Sequence, residues 1–305
     1  MSEPSTEIYH CQTAGNLLRT YFNAIRPAFL SASILPVLTA LAYVRGIFGS
    51  LDYSLALLTL LGIAFMHSAA NVLNDYFDSK NGTDAANDQR VYPFSGGSRF
   101  IQNGVFSEQQ ILNFGLVLLI NGIFIGLLIA YLSGPVILLM GFAGVLLAVF
   151  YSAPPCLACR GLGDLTIASC FGLLPVVGTV YTQVEQINSD SIWLGLVIGC
   201  FVTAILWINS IPDTEADKLA GKTTWPVRLG RRLASWLLAG WFIMGFAIIM
   251  LTPLVETGYF ALLAILPAGI AAISIIRGRF IPAIPMTLLT HAMVCILLGL
   301  GFLLA

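Results

Sequence analysis

Nine apolar segments, each long enough or nearly long enough to cross a lipid bilayer, constrain this chain more than any other feature. A helix of ~20 apolar residues spans the ~30 Å hydrocarbon core, where backbone polar groups must be paired within the protein. Only 10% of the residues are charged, against roughly a quarter in a soluble domain. The segments are Pro27–Val44, Ser54–Leu73, Ile111–Leu132, Pro135–Phe150, Leu165–Tyr181, Ile192–Ile211, Ala234–Leu251, Tyr259–Ile276 and Ile281–Leu304. The sequence therefore predicts an all-α, polytopic membrane helix bundle of about nine transmembrane helices, surrounded by lipid and not bound to nucleic acid.

The distribution of Lys and Arg predicts how this bundle is oriented. If the amino terminus is cytoplasmic, 13 of the 14 basic residues fall on the cytoplasmic side, and only Arg45 falls on the other. This asymmetry is a strong positive-inside signal. We therefore predict a multi-pass protein of the cell or inner membrane with one domain, residues 1–305, in which residues 1–19 are a short cytoplasmic lead and not a cleavable signal peptide.

The six cysteines suggest no disulfide framework, because most lie inside or beside apolar segments. Cys156 and Cys159 form a CxxC motif in a predicted cytoplasmic loop. A structural zinc site needs four ligands, and no second CxxC or nearby histidine pair supplies the others. We expect this spacing to reflect packing or chance.

Two polar loops, at about residues 78–108 and 213–232, are longer than the other connectors and are predicted on the same cytoplasmic side. Long loops in compact proteins are commonly functional or disordered. Glycines among acidic and basic residues, such as Gly96, Gly97 and Gly221, favour ordered turns that bind anions. We therefore expect both loops to cap a functional site.

Asn and Asp side chains cluster where an apolar segment ends and one of these loops begins. In the first cluster the residues are spaced three or four apart, so on a helix they share one face. In the second cluster they are spaced four apart, so their positions shift slowly around one face. Acids at helix ends can simply mark the water interface, but two clusters with matched Asn-to-Asp spacing fit a functional site better, since polar groups at this depth are costly. The clusters are Asn71, Asn74, Asp75 and Asp78, and Asn209, Asp213 and Asp217.

Carboxylates packed together repel unless a cation joins them. A hard oxygen set with few His or Cys residues nearby favours Mg²⁺, which also takes ligands from substrate phosphates. Basic residues follow each acidic cluster along the chain: Arg90 and Arg99 the first, Lys222 and Arg228 the second. The sequence thus predicts a magnesium–diphosphate site whose substrate has a long apolar tail, in a central cavity open to the cytoplasmic side.

At these motifs the chain resembles the UbiA superfamily of intramembrane aromatic prenyltransferases. "NVLNDYFD" and "NSIPDTEAD" resemble the two acidic motifs of the family, and "YSAPP" (Tyr151–Pro155) is similar to its loop between spans four and five. "NDYFDSKNGTD", "RGLGDLTIASCFG" and "DTEADKLAGKTTWPVRLG" resemble the branch that prenylates 1,4-dihydroxy-2-naphthoate in menaquinone synthesis. Where many members carry a further Asp, this chain has Gly82, with Asp84 two residues later.

The resemblance implies a reaction and a set of site residues. Mg²⁺ held by Asp75, Asp78, Asp213 and Asp217, with Asp84 as a further ligand, binds a polyprenyl diphosphate; Lys222 and Arg228 neutralise the leaving group. An aromatic ring carbon then attacks the allylic cation, with loss of CO₂ in the naphthoate branch. Asn71, Asn74, Asn209, Arg90 and Arg99 would contact substrate.

Several of these residues have an alternative interpretation. Tyr151 and Tyr76 are candidates to stabilise the cation through their rings, or they anchor the chain at the membrane interface. Asp164 either acts on the acceptor or caps the helix that begins there. Arg26 either reaches a phosphate or anchors the first span, and we expect His67 to be a packed histidine.

Two functional alternatives stay open. One is prenylation of another aromatic acceptor, such as 4-hydroxybenzoate, homogentisate or a chlorophyll-like ring. The other is a membrane transporter, since intramembrane acids and paired half-sites also occur there; acids and bases gathered at one side of the membrane argue against it. The sequence leaves prenyl chain length and oligomeric state open.

Overall fold

The structure is a computed structural model that describes residues 3–6 and 14–305, and every regular element in these ranges is helical. Residues 7–13 of the predicted lead, which include Cys11, lie outside the described residues. The α-helices are α1 (Ala14–Ala24), α2 (Ser31–Phe48), α3 (Tyr53–Lys80), α4 (Glu108–Ser133), α5 (Val136–Ser152), α6 (Gly163–Ile167), α7 (Leu174–Val184), α8 (Ser189–Ser210), α9 (Thr214–Leu219), α10 (Trp225–Leu251), α11 (Val255–Gly258), α12 (Ile265–Ile276) and α13 (Phe280–Leu304). The predicted all-α class is confirmed.

Eight helical segments of the described chain are long and apolar enough to cross a membrane. Three of them are compound. Pro27–Phe48 begins with a 3₁₀ turn before α2, and Gly163–Val184 joins α6 to α7 through a π-helical turn, Ala168–Leu173. Val255–Ile276 joins α11 to α12 through a 3₁₀ turn, Tyr259–Ala264. The fourth predicted span corresponds to α5, an apolar helix of 17 residues. The total of nine spans therefore stays a prediction.

Helix α8 forms the centre of the bundle, and small residues let its neighbour approach closely. A Cβ atom on Gly172 would lie 2.6 Å from both the carbonyl oxygen of Gly195 and the Cα of Gly199, so no larger residue fits there. The π-helical turn thus packs directly on α8. This contact fixes the segment that leads from the α5–α6 loop into the cavity wall.

The loops after α3 and α8 fold over the same end of the bundle, which we call the polar end. Asn87 in the first loop donates to Asp213 in the second at 2.8 Å, and Lys222 reaches back to Asp78 on α3 at 2.8 Å. The first loop closes at Ser107, whose side chain and Gln110 form a reciprocal capping box that starts α4. The ends of the second and sixth predicted spans therefore converge.

The expectation that the CxxC spacing is chance or packing is wrong. Cys156 and Cys159 are joined by a disulfide, because the turn after α5 brings their Cα atoms to 5.2 Å, within the range that a disulfide requires. The disulfide-closed turn also contacts the second loop. The carbonyl oxygen of Cys159 accepts from the backbone N–H of Thr223 at 2.6 Å and from its hydroxyl at 2.9 Å.

Candidate active site

A cavity of about 770 Å³ runs from the polar end into the apolar interior of the bundle. Its wall at the polar end carries four carboxylates and two cationic side chains: Asp78, Asp84, Asp213, Asp217, Arg26 and Lys222. Its remaining wall is mostly aliphatic, aromatic and glycine residues from α3, α4, α5 and α7. A molecule that fills this cavity must have one highly charged end and one apolar end.

On α3, the cavity-facing acid of the first cluster is Asp78. The amide nitrogen of Asn74, one turn earlier, donates to Asp78 Oδ2 at 3.2 Å and to the hydroxyl oxygen of Ser152 on α5 at 2.9 Å. Asn71 also lines the cavity and donates to the Ile25 carbonyl at 3.1 Å. The hydrogen bond from Asn74 holds the Asp78 carboxylate in an orientation that faces the cavity.

Asp75 is placed differently from Asp78. Its side chain is 3% exposed, and its Oδ1 accepts from the backbone N–H of Ser98 at 3.1 Å. It does not belong to the described residues that line the cavity. In this structure Asp75 holds the first loop, and its predicted contact with metal stays a prediction.

Asp213 and Asp217 of the second cluster both line the cavity, at the start of α9. Both carboxylate oxygens of Asp213 are held by the first loop: Oδ1 accepts from Asn87 Nδ2 at 2.8 Å and Oδ2 accepts from the Gly96 N–H at 3.1 Å. Burial raises the pKa of Asp217 to about 6, and the Lys222 ammonium opposes that rise. The helical spacing points both acids into one site.

Lys222 connects the two acidic clusters. Its ammonium lies 2.8 Å from Asp78 Oδ1 and 3.5 Å from Asp217 Oδ1, and its side chain is 10% exposed. Burial lowers the pKa of Lys222, but Asp78 and Asp217 outweigh burial and raise that pKa above its ordinary value. The group therefore stays cationic and offsets the repulsion between acids from different helices.

Asp84 brings a fourth carboxylate to the cavity from the first loop. Its side chain is 2% exposed and accepts from Gln102 Nε2 at 3.1 Å. Burial, reinforced by the charges of Asp75 and Asp78, raises the pKa of Asp84 to about 8. Gly97 makes room for it: at φ +73°, a Cβ on Gly97 would lie 2.6 Å from Asp84 Oδ2.

The predicted basic residues divide into two groups. Arg26 lines the cavity, where its guanidinium stacks on Phe29 at 4.4 Å and donates to the Phe94 carbonyl at 3.3 Å. Arg90 pairs with Glu3 at 2.7 Å, and Arg99 donates to the main chain of Asp84. These last two hold the first loop together.

Arg228 is exposed and connects loops instead of facing the cavity. It donates to the carbonyl of Thr223 at 2.7 Å and to that of Arg160 at 2.8 Å. It therefore joins the disulfide-closed turn to the loop that carries Lys222. Its predicted contact with the leaving group stays a prediction.

Among the aromatic candidates, Tyr151 on α5 lines the cavity. Tyr76 lies on another face of α3, beside Phe77 and under the Lys80 ammonium at 5.8 Å. It lines a small separate pocket next to Cys156. The structure thus favours Tyr151 over Tyr76 as the residue whose ring faces a substrate.

Asp164 and His67 have specific partners. Asp164 Oδ2 accepts from Trp207 Nε1 at 2.8 Å, and the residue at the helix N-cap is Leu162, so the interpretation of Asp164 as the cap is wrong. Asp164 lies inside the first turn of α6, two residues after Leu162. His67 is hydrogen-bonded to Ser33 at 2.8 Å, and its ring packs edge-on against Phe171, as predicted for a packed histidine. It also lines the cavity.

The functional importance of Asn87 and of the turn Ser95–Ser98 does not follow from the sequence patterns above. This turn donates one backbone N–H to each cluster, from Gly96 to Asp213 and from Ser98 to Asp75. The sequence feature that points to this turn is the pair of adjacent glycines, Gly96 and Gly97, which adopt φ +77° and +73° in the structure. They indicate an ordered turn but not which acids it binds.

The donor set fits a hard divalent cation, although no three acidic, histidine or cysteine side chains of the described chain form a ready-made metal cluster. Four carboxylates line the polar end. Two cavity-lining amides, Asn87 and Asn209, each have a buried Oδ1 without a hydrogen-bond donor among the described residues. Oxygen ligands of this kind suit Mg²⁺, which commonly completes its shell with water and substrate phosphate. The residues present therefore fit a magnesium–diphosphate site.

Comparisons with known proteins agree with this architecture. The UbiA prenyltransferase family model matches residues 33–283. The chain is similar to two proteins named 1,4-dihydroxy-2-naphthoate octaprenyltransferase. It is 33% identical to that of Haemophilus influenzae, and the match covers 70% of each chain. It is 30% identical to that of Bacillus subtilis, and the match covers 76% of this chain and 72% of that one. The fold resembles the solved structure of a UbiA homologue from Archaeoglobus fulgidus bound to DMAPP and Mg²⁺, with a TM-score of 0.62, 17% identity, and coverage of 93% of this chain and 99% of that one.

Proposed function

Because the chain belongs to the UbiA prenyltransferase family, we propose that it transfers a prenyl group from a polyprenyl diphosphate to a ring carbon of 1,4-dihydroxy-2-naphthoate, with loss of CO₂. The product is a demethylmenaquinone-type molecule. The single observation that carries this proposal is the cavity itself, which joins four carboxylates and Lys222 at one end to a long apolar wall.

The residues at the polar end account for binding of the diphosphate. Asp78, Asp84, Asp213 and Asp217 would hold Mg²⁺, which supplies charge neutralisation for the departing diphosphate. Lys222 already lies between Asp78 and Asp217, so its ammonium is positioned to stabilise the same anion. Arg26, which also lines the cavity, adds a second positive charge.

The apolar wall of the cavity accounts for the prenyl tail and for the allylic cation. The Tyr151 ring lies at the cavity wall near the acids, and an aromatic face there stabilises positive charge. Exclusion of bulk water by the apolar wall leaves the acceptor ring as the nucleophile. The acceptor's ring carbon then forms the new C–C bond, and the carboxylate leaves the ring as CO₂.

Support for the choice of acceptor comes from the sequence. The curated relatives from Bacillus subtilis and Haemophilus influenzae carry the name of a naphthoate prenyltransferase. The chain also has the "NDYFDSKNGTD" pattern, in which Asp84 follows Asp78 by six residues. The structure adds that Asp84 lines the same cavity as Asp78.

Orientation in the membrane is part of the proposal. All the acids of the site lie at the polar end, together with the loops that contain most of the Lys and Arg residues. Since basic loops favour the cytoplasm, the site opens to the cytoplasmic side. A water-soluble aromatic acid would enter there, while the tailed diphosphate arrives from the bilayer.

The test is a product analysis on purified full-length protein in detergent. The protein is given 1,4-dihydroxy-2-naphthoate and 4-hydroxybenzoate together, a set of prenyl diphosphates and Mg²⁺, and products are identified by mass spectrometry with ¹⁴CO₂ release from carboxyl-labelled naphthoate. We expect a decarboxylated prenyl naphthoquinol and little prenyl hydroxybenzoate. Prenylation of 4-hydroxybenzoate alone would contradict the acceptor, and the absence of any prenylated product would contradict the reaction.

A further inference from the structure

Asn87 occupies a position in the first loop where its main chain is fixed from both sides. Its N–H donates to the Asp84 carbonyl at 3.3 Å, and its carbonyl accepts from Arg90 Nη1 at 2.6 Å. Arg90 is itself paired with Glu3 at 2.7 Å. The residue is 1% exposed, so its side chain has little freedom.

The side-chain amide of Asn87 connects this loop to the second acidic cluster, 126 residues further along the chain. Nδ2 donates to Asp213 Oδ1 at 2.8 Å. The opposite orientation of the amide would place its oxygen against a carboxylate oxygen, which is unfavourable, so the chemistry fixes which atom is the donor. Because Gly96 donates to the other oxygen at 3.1 Å, the first loop sets the plane of the Asp213 carboxylate.

The other atom of the amide points to a ligand. Asn87 Oδ1 is buried and has no hydrogen-bond donor within the described residues, and Asn87 lines the cavity beside Asp84 and Asp213. Buried acceptors without a donor are rare and need an explanation. A cation that binds with its water shell supplies such donors, because water ligated to Mg²⁺ is a strong hydrogen-bond donor.

We propose that Asn87 is a positioning residue of the metal–diphosphate site, which orients Asp213 through Nδ2 and accepts a hydrogen bond from metal-bound water through Oδ1. This inference rests on the proposed function, since it presupposes that the site binds a divalent cation with a prenyl diphosphate. It assigns a task to a residue of the first loop that lies outside both acidic motifs. Residues that orient metal ligands in this way typically contribute about 10–100-fold to metal affinity.

The test measures Mn²⁺ binding by electron paramagnetic resonance on the full-length protein in detergent, with an unreactive prenyl thiodiphosphate present. We expect Asn87→Ala to raise the Kd for Mn²⁺ by about tenfold. Asn87→Ser keeps a polar group too short to reach Asp213, and it should show the same loss. Asn103→Ala is the matched control, because Asn103 belongs to the same loop but its amide bonds Glu3 and Pro4.

A double-mutant cycle separates positioning of Asp213 from a general loosening of the loop. If Asn87 acts through Asp213, Asn87→Ala should raise the Kd for Mn²⁺ by a smaller factor in the Asp213→Asn background than in wild type, so the two effects are not additive. Full additivity, or wild-type Mn²⁺ affinity in both folded Asn87 variants, would overturn this inference alone. Failure of the wild-type protein to bind Mn²⁺ with the thiodiphosphate would overturn the proposed function, and this inference with it.

Discussion

The two ends of the cavity are built in different ways. At the polar end the acids are held by named partners: Lys222 for Asp78 and Asp217, and the first loop for Asp213 and Asp84. At the apolar end the wall is formed by helix side chains and by glycines such as Gly126 and Gly141, where a Cβ would meet nothing within 4 Å. One end is fixed by hydrogen bonds and charge, and the other is open space.

Chemistry and substrate choice are therefore determined at different ends of the cavity. Electrostatic stabilisation requires charges that are already in place when a leaving group departs, and the polar end provides such an arrangement. Selection among tails of different length depends on volume, because apolar contacts have no direction. Substitutions at the polar end should therefore change the rate, whereas substitutions at the apolar end should change the choice of substrate.

The largest effect is expected from the acids that face the cavity. Asp78→Asn and Asp213→Asn should each lower Mg²⁺-dependent kcat/KM by roughly 10²–10³-fold, because each removes a charge from the metal–diphosphate site. Asp75→Asn should lower kcat/KM by a smaller factor, because the Asp75 carboxylate accepts from the Ser98 N–H and does not line the cavity. Steady-state kinetics on the three folded variants checks the order, and an equal loss for Asp75→Asn would return that residue to the metal site.

The next largest effect is expected for Lys222→Met, which should lower kcat by about 10²-fold. It removes the cation next to Asp78 and Asp217 while retaining an unbranched side chain of similar length. Arg228→Met is the comparison, because Arg228 hydrogen-bonds the carbonyls of Thr223 and Arg160 and the Thr223 hydroxyl and does not line the cavity in the described part of the chain. A larger loss for Arg228→Met than for Lys222→Met would contradict the assignment of charges at the polar end.

The pH dependence tests the polar end without mutation. Asp84 has a pKa of about 8 in the fold and an ordinary value of 3.8, so it is protonated over a wide range in the metal-free protein. Folding takes up this proton, so the unfolding free energy of the metal-free protein should fall as pH rises from about 4 to about 8. Mg²⁺ with diphosphate needs the ionised form and should bind more tightly as pH rises through the same range.

Thermal melting in detergent with a chelator, repeated with Mg²⁺ and diphosphate, checks both directions of this pH effect. Asp84→Asn is the control, because it removes this titrating group and should weaken the pH dependence of the metal-free melting temperature, leaving the contribution of Asp217, whose pKa is about 6. A metal-free melting temperature that rises steadily from pH 5 to pH 8 in wild type, and equally in Asp84→Asn, would contradict the assignment of a protonated Asp84.

The smallest change in rate, but a clear change in selectivity, is expected at the apolar end. Gly126→Leu should reduce kcat/KM for a long prenyl diphosphate by about tenfold relative to a short one, because it fills open space in the cavity. Gly240→Leu is the matched control, since that helical glycine also has open space but lies away from the cavity. Competition between two tail lengths, read by mass spectrometry, measures the ratio, and an unchanged ratio in Gly126→Leu would show that the tail lies elsewhere.

The sequence predicted the helices and the two acidic clusters because both leave periodic patterns. The apolar segments appear as helices, although α3 extends to Lys80, past the predicted end at Leu73, and α10 begins at Trp225, before the predicted start at Ala234. Asp78, Asp213, Asp217 and Lys222 meet at one cavity. Helical spacing could not separate Asp75 from Asp78, since three residues of α3 span less than one turn. Which of the two faces the cavity depends on where α5 and the first loop pack.

Residues in the loops were harder to place. Their charge predicts a phosphate contact for three arginines, Arg90, Arg99 and Arg228. In the structure each of them donates to groups of the neighbouring loops. Long-range pairs such as Asn87 with Asp213 are separated by more than a hundred residues and follow no period. The Cys156–Cys159 disulfide likewise depends on a local turn that the spacing alone does not determine.

We expect both acidic clusters to hold one cation against one diphosphate. The most direct measurement is ³¹P electron–nuclear double resonance of Mn²⁺ bound to the protein with a prenyl thiodiphosphate. We predict a ³¹P coupling in wild type, and loss of tight Mn²⁺ binding in both Asp78→Asn and Asp213→Asn. Retention of wild-type Mn²⁺ affinity and of the ³¹P coupling in either variant would contradict the shared site.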